Sequence, residues 1–156
     1  MDRDDWDLTP DSVQLALEHL VPASAGKVVR EAFYGTRRFD DFVRRTGLTA
    51  PVLSARLRDL EASGVIEKRP YREPGQRTRH EYRLTQQGQD LGTAVVALLE
   101  WADRWLPTPD GPTVVLEHRE CGASVHVAMG CSVGHGVDIT DVVALPGPGA
   151  RRVGTS

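Results

Sequence analysis

The stretch GLTAPVLSARLRDLE at residues 47–61 decides the fold predicted for this chain. Its leucines recur at the spacing of one buried helical face, and they are Leu53, Leu57 and Leu60. Thr49 is a typical capping residue and Pro51 suits the first turn of a helix, so a helix is expected to begin at Ala50. Gly64 is the matching end signal.

A second, shorter helix is expected immediately before this stretch. Asp40 can cap it, Phe42 and Val43 give it an apolar side, and Gly47 ends it. Two amphipathic helices joined by about three residues, with a glycine at the joint, are typical of a helix-turn-helix.

The outer face of the second helix begins with small and polar side chains. At 100° per residue, the face opposite the leucines is formed by Pro51, Ser54, Ala55, Arg58 and Ala62, with Ala50 near its flank. The N-terminal end of such a face meets base edges when a recognition helix enters a major groove. The candidates for DNA contact are Thr49, Ala50, Pro51, Ser54, Ala55 and Arg58. Arg56 lies on the flank, where it can contact either a phosphate or a carboxylate of its own helix.

A basic β-hairpin is predicted directly after the two helices. Residues 65–72 and 79–85 have the composition of strands, and residues 73–78 have that of a turn. In a winged helix such a hairpin sends its arginines to phosphates or into the minor groove, which makes Arg77 and Arg79 candidates. The alternative is a solvated hairpin whose charges only keep its edges from pairing.

Several short motifs follow one another in an order and spacing that resemble one known family. They are GTRRFDDF at 35–42, GLTAPVLSARLRDLE at 47–61, GVIEKR at 64–69, YRLT at 82–85 and Gly88. Over residues 13–106 the chain is similar to the HxlR-type winged helix-turn-helix regulators. The resemblance implies a bacterial transcription factor that binds palindromic operators as a homodimer. The chain lacks the family's cysteine ahead of the first helix, and its 25–31 segment differs from the usual aromatic, leucine-rich helix.

Charge along the chain also indicates a polyanionic partner. The 156 residues are 40% apolar and carry a net charge of -3, which predicts one ordinary folded domain. Residues 27–83 hold 14 Lys or Arg against 8 Asp or Glu, a net +6, so the remaining residues carry -9. The basic block, with Arg37 and Arg38 ahead of the predicted helix-turn-helix, favours double-stranded DNA.

Flanking helices with wide apolar faces predict a dimer. One follows Thr9 and Pro10, which suit a cap and a first helical position, another covers residues 25–34, and the longest covers 86–106. The expected interface residues are Val13, Leu17, Leu20, Leu91, Val95, Leu98, Trp101, Ala102 and Trp105. The alternative is that the long helix folds back onto its own domain. A small-molecule effector bound between the dimer helices is a further possibility, without any indicated ligand chemistry.

The C-terminal third is expected to be a small β-rich extension. Prolines mark a linker at 107–112, two short strands are predicted at 113–118 and 124–127 within an extension at 113–146, and residues 147–156 are expected to be a flexible tail. Its Cys and His spacing resembles a degenerate metal ribbon that some relatives carry. A zinc set can be assembled from His118, Cys121, Cys131 and His135, but Gly134 replaces the expected fourth thiol, so no metal or other cofactor is favoured.

The two cysteines of the extension allow a further interpretation. A disulfide between Cys121 and Cys131 is the third alternative for the extension, and a metal- or redox-responsive interaction module is the alternative function.

The sequence also bears on enzymatic activity and on localisation. No phosphate loop, nucleophile elbow or metalloprotease helix occurs, so an enzyme is not expected. The acidic arm at 1–10 has no signal-peptide pattern, and no membrane segment is predicted, which favours a cytoplasmic protein. The predicted fold is therefore α+β, mainly α.

Overall fold

The computed structural model describes residues 5–7, 11–20, 23–72, 75 and 77–153, with the side chains of 18–20 excluded. The chain forms two compact units, a larger one over residues 18–126 and a smaller one that joins residues up to 17 with those from 127 onward. The length predicts one domain, and the two ends of the chain group into a smaller unit beside the larger one in sequence. Across the described residues, none of the helices has the length and apolarity that a bilayer-spanning segment requires.

Most of the regular secondary structure in the described residues is helical. The elements in chain order are β1 (Trp6–Asp7), α1 (Ser12–Leu20), α2 (Ala23–Phe33), α3 (Phe39–Thr46), α4 (Ala50–Ala62), β2 (Ile66–Tyr71), β3 (Arg79–Leu84), α5 (Gln86–Asp90), α6 (Gly92–Trp105), a 3-10 turn (Ile139–Asp141) and β4 (Arg151–Arg152). Strands β2 and β3 pair as an antiparallel hairpin, and β1 pairs with β4. The mainly α fold with a helix-turn-helix and a β-hairpin wing is confirmed.

The core of the larger unit is built from α2, α3, α4 and the base of the hairpin. Its buried members are Val28, Val29, Phe42, Leu53, Leu57, Leu60, Val65 and Ile66. The leucines predicted from helical periodicity are all buried, so the face assignment of α4 is confirmed. Phe42 is fully buried and meets the ring of Tyr82 edge-on at 6.4 Å, which joins the helix-turn-helix to the hairpin.

Two helix starts differ from the prediction. α3 begins at Phe39 with Arg38 at its N-cap, so Asp40 lies in the first turn, where its charge complements the helix dipole, and it is not the cap. α1 begins at Ser12, and the Asp11 carboxylate accepts a hydrogen bond from the Gln14 N–H at 2.7 Å. The expected roles of Thr9 and Pro10 lie outside the described residues.

The single long helix predicted over 86–106 is wrong, because it breaks into α5 and α6 at Leu91. A Cβ added to Gly92 would lie 3.1 Å from Phe33 Cε2, so α6 starts pressed against the end of α2. Leu91 and Val95 consequently pack on the core of their own unit. For these two residues the structure follows the alternative in which the helix folds back.

The strands expected at 113–118 and 124–127 are also wrong. Residues 116–125 form a tight hairpin with one isolated bridge, between Glu117 and Ser124, because nearly all of this segment is exposed and no sheet covers it. The extension predicted over 113–146 is divided, since residues 113–126 belong to the larger unit and residues 127–146 to the smaller.

The tail expected to be flexible over 147–156 is paired in part. Trp6 lies opposite Arg152 and Asp7 opposite Arg151, and the Val153 N–H donates to the Asp5 carbonyl oxygen at 2.9 Å. Backbone hydrogen bonds between the two ends of the chain, and the pairing of an acidic strand with a basic one, account for the regular structure of residues 151–153.

Candidate nucleic-acid interface

The turn between α3 and α4 is held by backbone geometry and by one buried hydroxyl. Gly47 adopts φ +67°, a left-handed conformation that glycine tolerates, and its N–H donates to the Val43 carbonyl at 3.1 Å. The Thr46 hydroxyl donates to the Phe42 carbonyl at 2.7 Å and accepts from the Leu48 N–H at 3.2 Å. Thr46 was missed in the sequence because nothing in its local pattern distinguishes it from a surface residue.

The outer face of α4 is open to solvent. Ala50, Pro51 and Arg58 are exposed, and Ser54 and Ala55 are half-buried. Thr49 precedes the helix in an extended conformation but makes no side-chain cap, contrary to the prediction. The five face residues thus present a small, shallow surface with one long cation.

Arg56 has the role that the sequence left as an alternative. Its Nη1 lies 2.9 Å from Asp59 Oδ2, an ion pair within α4, and its Nε is buried without a hydrogen-bond partner among the described residues. A guanidinium held in this way stays close to its own helix. Arg56 therefore contacts a helix carboxylate in this structure.

The wing carries its candidate cations at and near its tip. β2 and β3 pair from Ile66 opposite Leu84 to Tyr71 opposite Arg79, and Arg77 and Arg79 are exposed beyond or at the last pair. Lower on the strands, charged side chains form ion pairs with each other: Glu67 with Arg69 at 2.5 Å, and Glu81 with Arg83 at 2.6 Å. Those carboxylates neutralise the base of the wing, so its positive charge is concentrated towards the tip.

A short segment before α3 braces the wing against the helix-turn-helix. The Tyr82 N–H donates to the Arg37 carbonyl at 2.8 Å, and Arg38 forms a β-bridge with Glu81. The Arg38 guanidinium lies 5.1 Å from the centre of the Tyr71 ring. Arg37 and Arg38 therefore contact the wing directly.

A polar groove of about 460 Å³ lies between the start of α3 and the wing. It brings together two predicted residues, Arg38 and Arg79, with three that the sequence analysis missed, namely Lys68, Tyr71 and His80. These residues lie at the groove because of the register in which the two strands pair, with Tyr71 opposite Arg79. The sequence alone does not give this register. Three cations around one groove make it suited to a phosphate, although Asp40 and Asp41 also line it.

A neighbouring groove of about 370 Å³ adds a second basic position. It is lined by Arg37, Arg38 and Arg45, together with the carboxylates of Asp41 and Glu81. Arg45 was not predicted, because its place in the last turn of α3 is also explained by the helix dipole.

The metal candidates of the extension are distributed over both units. In the larger unit, His118 Nδ1 lies 3.2 Å from Cys121 Sγ, and both side chains are exposed. Cys131 and His135 belong to the smaller unit. Within the part of the chain that the structure describes, no group of three or more His, Cys, Asp or Glu side chains is arranged to hold a metal ion.

The two thiols differ in their surroundings. Backbone N–H groups of Val133 and His135 donate to the sulfur of Cys131 and hold the pKa of this thiol below its usual value. We expect Cys131 to react with iodoacetamide near pH 7 faster in the folded protein than in urea-unfolded protein, because a lowered pKa raises the thiolate fraction at that pH. Peptide mass spectrometry after timed alkylation measures both rates. Equal rates in the folded and the unfolded protein would contradict the expectation.

A model of the HxlR-like helix-turn-helix family matches residues 25–110 of the chain. The chain is also similar to two relatives named as uncharacterized HTH-type transcriptional regulators, one from Mycobacterium bovis and one from Mycobacterium tuberculosis. Each is 40% identical over 142 residues, which cover 90% of this chain and 89% of the relative.

Solved structures give the same result for the fold. PA1607, described as a candidate transcription factor, has 29% identity and a TM-score of 0.77, and the match covers 88% of this chain and 95% of that one. HypR, a redox regulator in its oxidized form, has 28% identity and a TM-score of 0.53 over 59% of this chain and 94% of its own. The chain therefore belongs to the HxlR-like helix-turn-helix family and is a transcriptional regulator with a helix-turn-helix DNA-binding fold.

Proposed function

We propose that this protein binds a palindromic operator as a homodimer, in the cytoplasm and without a metal or other cofactor. The outer face of α4 reads bases in the major groove through Ala50, Pro51, Ser54, Ala55 and Arg58. The phosphate backbone or the minor groove is contacted by the basic wing, through Arg77 and Arg79, and by Arg37 and Arg38. Arg56, which the sequence placed among the candidates, pairs with Asp59 within α4 and is given no DNA contact in this proposal.

The observation that carries this proposal is the bracing of the wing. Arg38 and Arg79 line one groove, and the Arg37 carbonyl accepts the Tyr82 N–H, so the candidate phosphate-binding cations lie together with the wing. A solvated hairpin whose charges only prevent edge pairing needs no such attachment. The net charge of +6 over residues 27–83 supplies the long-range attraction to a polyanion.

Exchanging one cation at a time separates base reading from phosphate binding. We expect Arg58→Ala to relax preference at one base position by about 1 to 3 kcal/mol, because this exposed side chain is the long donor on the outer face. Arg77→Ala should weaken binding to all sequences alike and reduce the slope of log K against log salt by about one.

The measurement is selection from random DNA, followed by titration of the selected site and a scrambled site over a salt series. Arg119→Ala, which removes an exposed arginine outside the wing and helices, is the matched control and should change neither quantity. Equal losses on selected and scrambled DNA for Arg58→Ala and Arg77→Ala would disprove this division of roles.

The second half of α6 supports the homodimer. Leu98 is 66% exposed, Trp101 55% and Trp105 63%, a concentration of apolar surface that isolated chains rarely leave in water. Val13 and Leu17, which belong to the smaller unit, are also exposed. Ala102 is half-buried, and the side chain of Leu20 lies outside the described residues. A two-fold axis through α6 would place two copies of α4 about 34 Å apart, or a multiple of it, on one face of DNA.

A redox-responsive regulator is the second candidate, and it concerns the same DNA-binding unit. The contact of His118 with Cys121 and the lowered pKa of the Cys131 thiol are the observations that favour it. HypR, to which the chain is similar, is described as a redox regulator. This chain lacks the cysteine that the family usually carries ahead of its first helix. The alkylation experiment above bears on it directly, because a redox switch at these positions requires at least one reactive thiol.

A further inference from the structure

An apolar cavity of about 270 Å³ lies between α2 and α6, apart from the basic grooves. Most of its wall is aliphatic, from Val29, Leu91, Ala94, Val95, Leu98 and Leu99. Its volume lies just below the range of about 300 to 1,000 Å³ that is usual for ligand pockets, so it fits a small molecule. None of these wall residues contacts DNA in the proposed function. Leu98 of α6 also belongs to the proposed dimer interface.

The lining of the cavity includes one cationic residue. Arg30 and Tyr34 both line the cavity, and the Arg30 side chain is 47% exposed. An apolar space with one arginine in its wall matches a molecule that has an apolar body and one carboxylate, since guanidinium and carboxylate pair through two parallel hydrogen bonds. This charge complementarity distinguishes such a ligand from a purely apolar occupant.

Arg30 is also connected to the segment that braces the wing. Arg30 Nη2 donates to Glu31 Oε1 at 2.8 Å, and the Thr36 hydroxyl donates to Glu31 Oε2 at 3.2 Å. The Thr36 N–H donates to the Glu31 carbonyl at 2.9 Å, and the next residue, Arg37, accepts the Tyr82 N–H. Glu31 and Thr36 are 7% and 5% exposed, so a change at Arg30 acts on a buried carboxylate.

We propose that the α2–α6 cavity binds a small apolar carboxylate, whose charged group draws the Arg30 guanidinium away from Glu31. The Glu31 carboxylate then stays buried without Arg30, next to the Thr36 hydroxyl. This unfavourable arrangement displaces the Thr36–Arg37 segment and, with it, the wing. Operator affinity falls as a result. The binding site stands on its own, whereas the effect on DNA rests on the proposed function.

Calorimetric titration of the full chain with 2-naphthoate tests the site, with naphthalene-2-carboxamide as the neutral analogue. We expect one site per chain with a Kd on the order of 10 to 100 µM for the carboxylate. Arg30→Gln should weaken the carboxylate about tenfold and the amide less than twofold. Ala94→Trp, which fills the cavity, should abolish binding of both, whereas Ala97→Trp, on an exposed part of α6 outside the cavity wall, should not.

Fluorescence titration of the selected DNA site then tests the coupling. Saturating 2-naphthoate should lower DNA affinity about fivefold in the wild type and leave the affinity of Ala94→Trp unchanged. Absence of binding to the wild type, or unchanged binding to Ala94→Trp because the ligand adsorbs to the exposed tryptophans, would overturn the site. Binding without an effect on DNA affinity would overturn the coupling. If the protein binds no DNA at all, the calorimetry still decides the site, so the two failures are distinguishable.

Discussion

Gly88→Ala is expected to destabilise the winged-helix unit by about 3 kcal/mol or more, because the added methyl has no space. A Cβ at this position would lie 2.1 Å from the Val65 carbonyl oxygen and 3.0 Å from Leu84 Cδ2. The first of these atoms is backbone at the base of the hairpin and cannot rotate away. The Gly88 N–H also donates to Thr85 Oγ1 at 3.1 Å, and the Thr85 hydroxyl donates to the Gly64 carbonyl at 2.5 Å.

Thermal unfolding followed by circular dichroism measures this effect, and a fall of about 10 °C corresponds to the expected loss for a chain of this size. Gly136→Ala is the control, since a Cβ there meets no atom within 4 Å and its backbone does not have a positive φ. A Gly88→Ala protein with an unchanged melting temperature would show that α5 can move off the hairpin without cost.

Leu98→Glu combined with Trp101→Glu is expected to give a folded monomer whose affinity for the palindromic site is at least about 100-fold lower. Both side chains are exposed in the single chain, so charges at these positions cost little within one copy. In the proposed dimer they place four carboxylates in one apolar interface, where unpaired charges are strongly unfavourable. A monomer holds only one half-site, and the gain from simultaneous binding of two half-sites is lost.

Sedimentation velocity gives the oligomeric state, and titration of a full palindrome against a single half-site gives the loss of affinity. The matched control is Val115→Glu with Val125→Glu, two apolar residues of the larger unit that are 66% and 42% exposed outside α6. A double variant that remains dimeric, or a monomer that binds the palindrome as tightly as the wild type, would contradict the proposed interface.

Local sequence patterns were sufficient for the parts of the fold that form from neighbouring residues. The spacing of Leu53, Leu57 and Leu60 predicts the buried face of α4, and burial of all three bears it out. Gly47 marks the end of α3 because its left-handed φ is a local requirement of the backbone. The wing strands were also predicted, since period-two alternation and turn composition are local signals.

The predicted helix caps were wrong where several residues near a helix start could serve as the cap. Asp40 and Thr49 both have the composition of caps, yet Arg38 occupies the cap of α3, and Thr49 precedes α4 without a side-chain hydrogen bond. The predicted strands of the extension, at 113–118 and 124–127, failed for a related reason. Alternating apolar residues favour a strand only when a sheet covers one face, and these residues are mostly exposed.

The sequence by itself determined the helix-turn-helix, the wing and the family, because periodicity, capping and turn preferences act between residues close in the chain. Only the tertiary structure decided that Leu91 and Val95 pack inward while Leu98 and Trp101 stay exposed, since the packing of Gly92 against Phe33 sets the start of α6. The attachment of Arg37 and Arg38 to β3 and the cavity beside Arg30 were likewise decided by contacts between distant segments. Such contacts depend on how whole elements pack, and no local pattern encodes them.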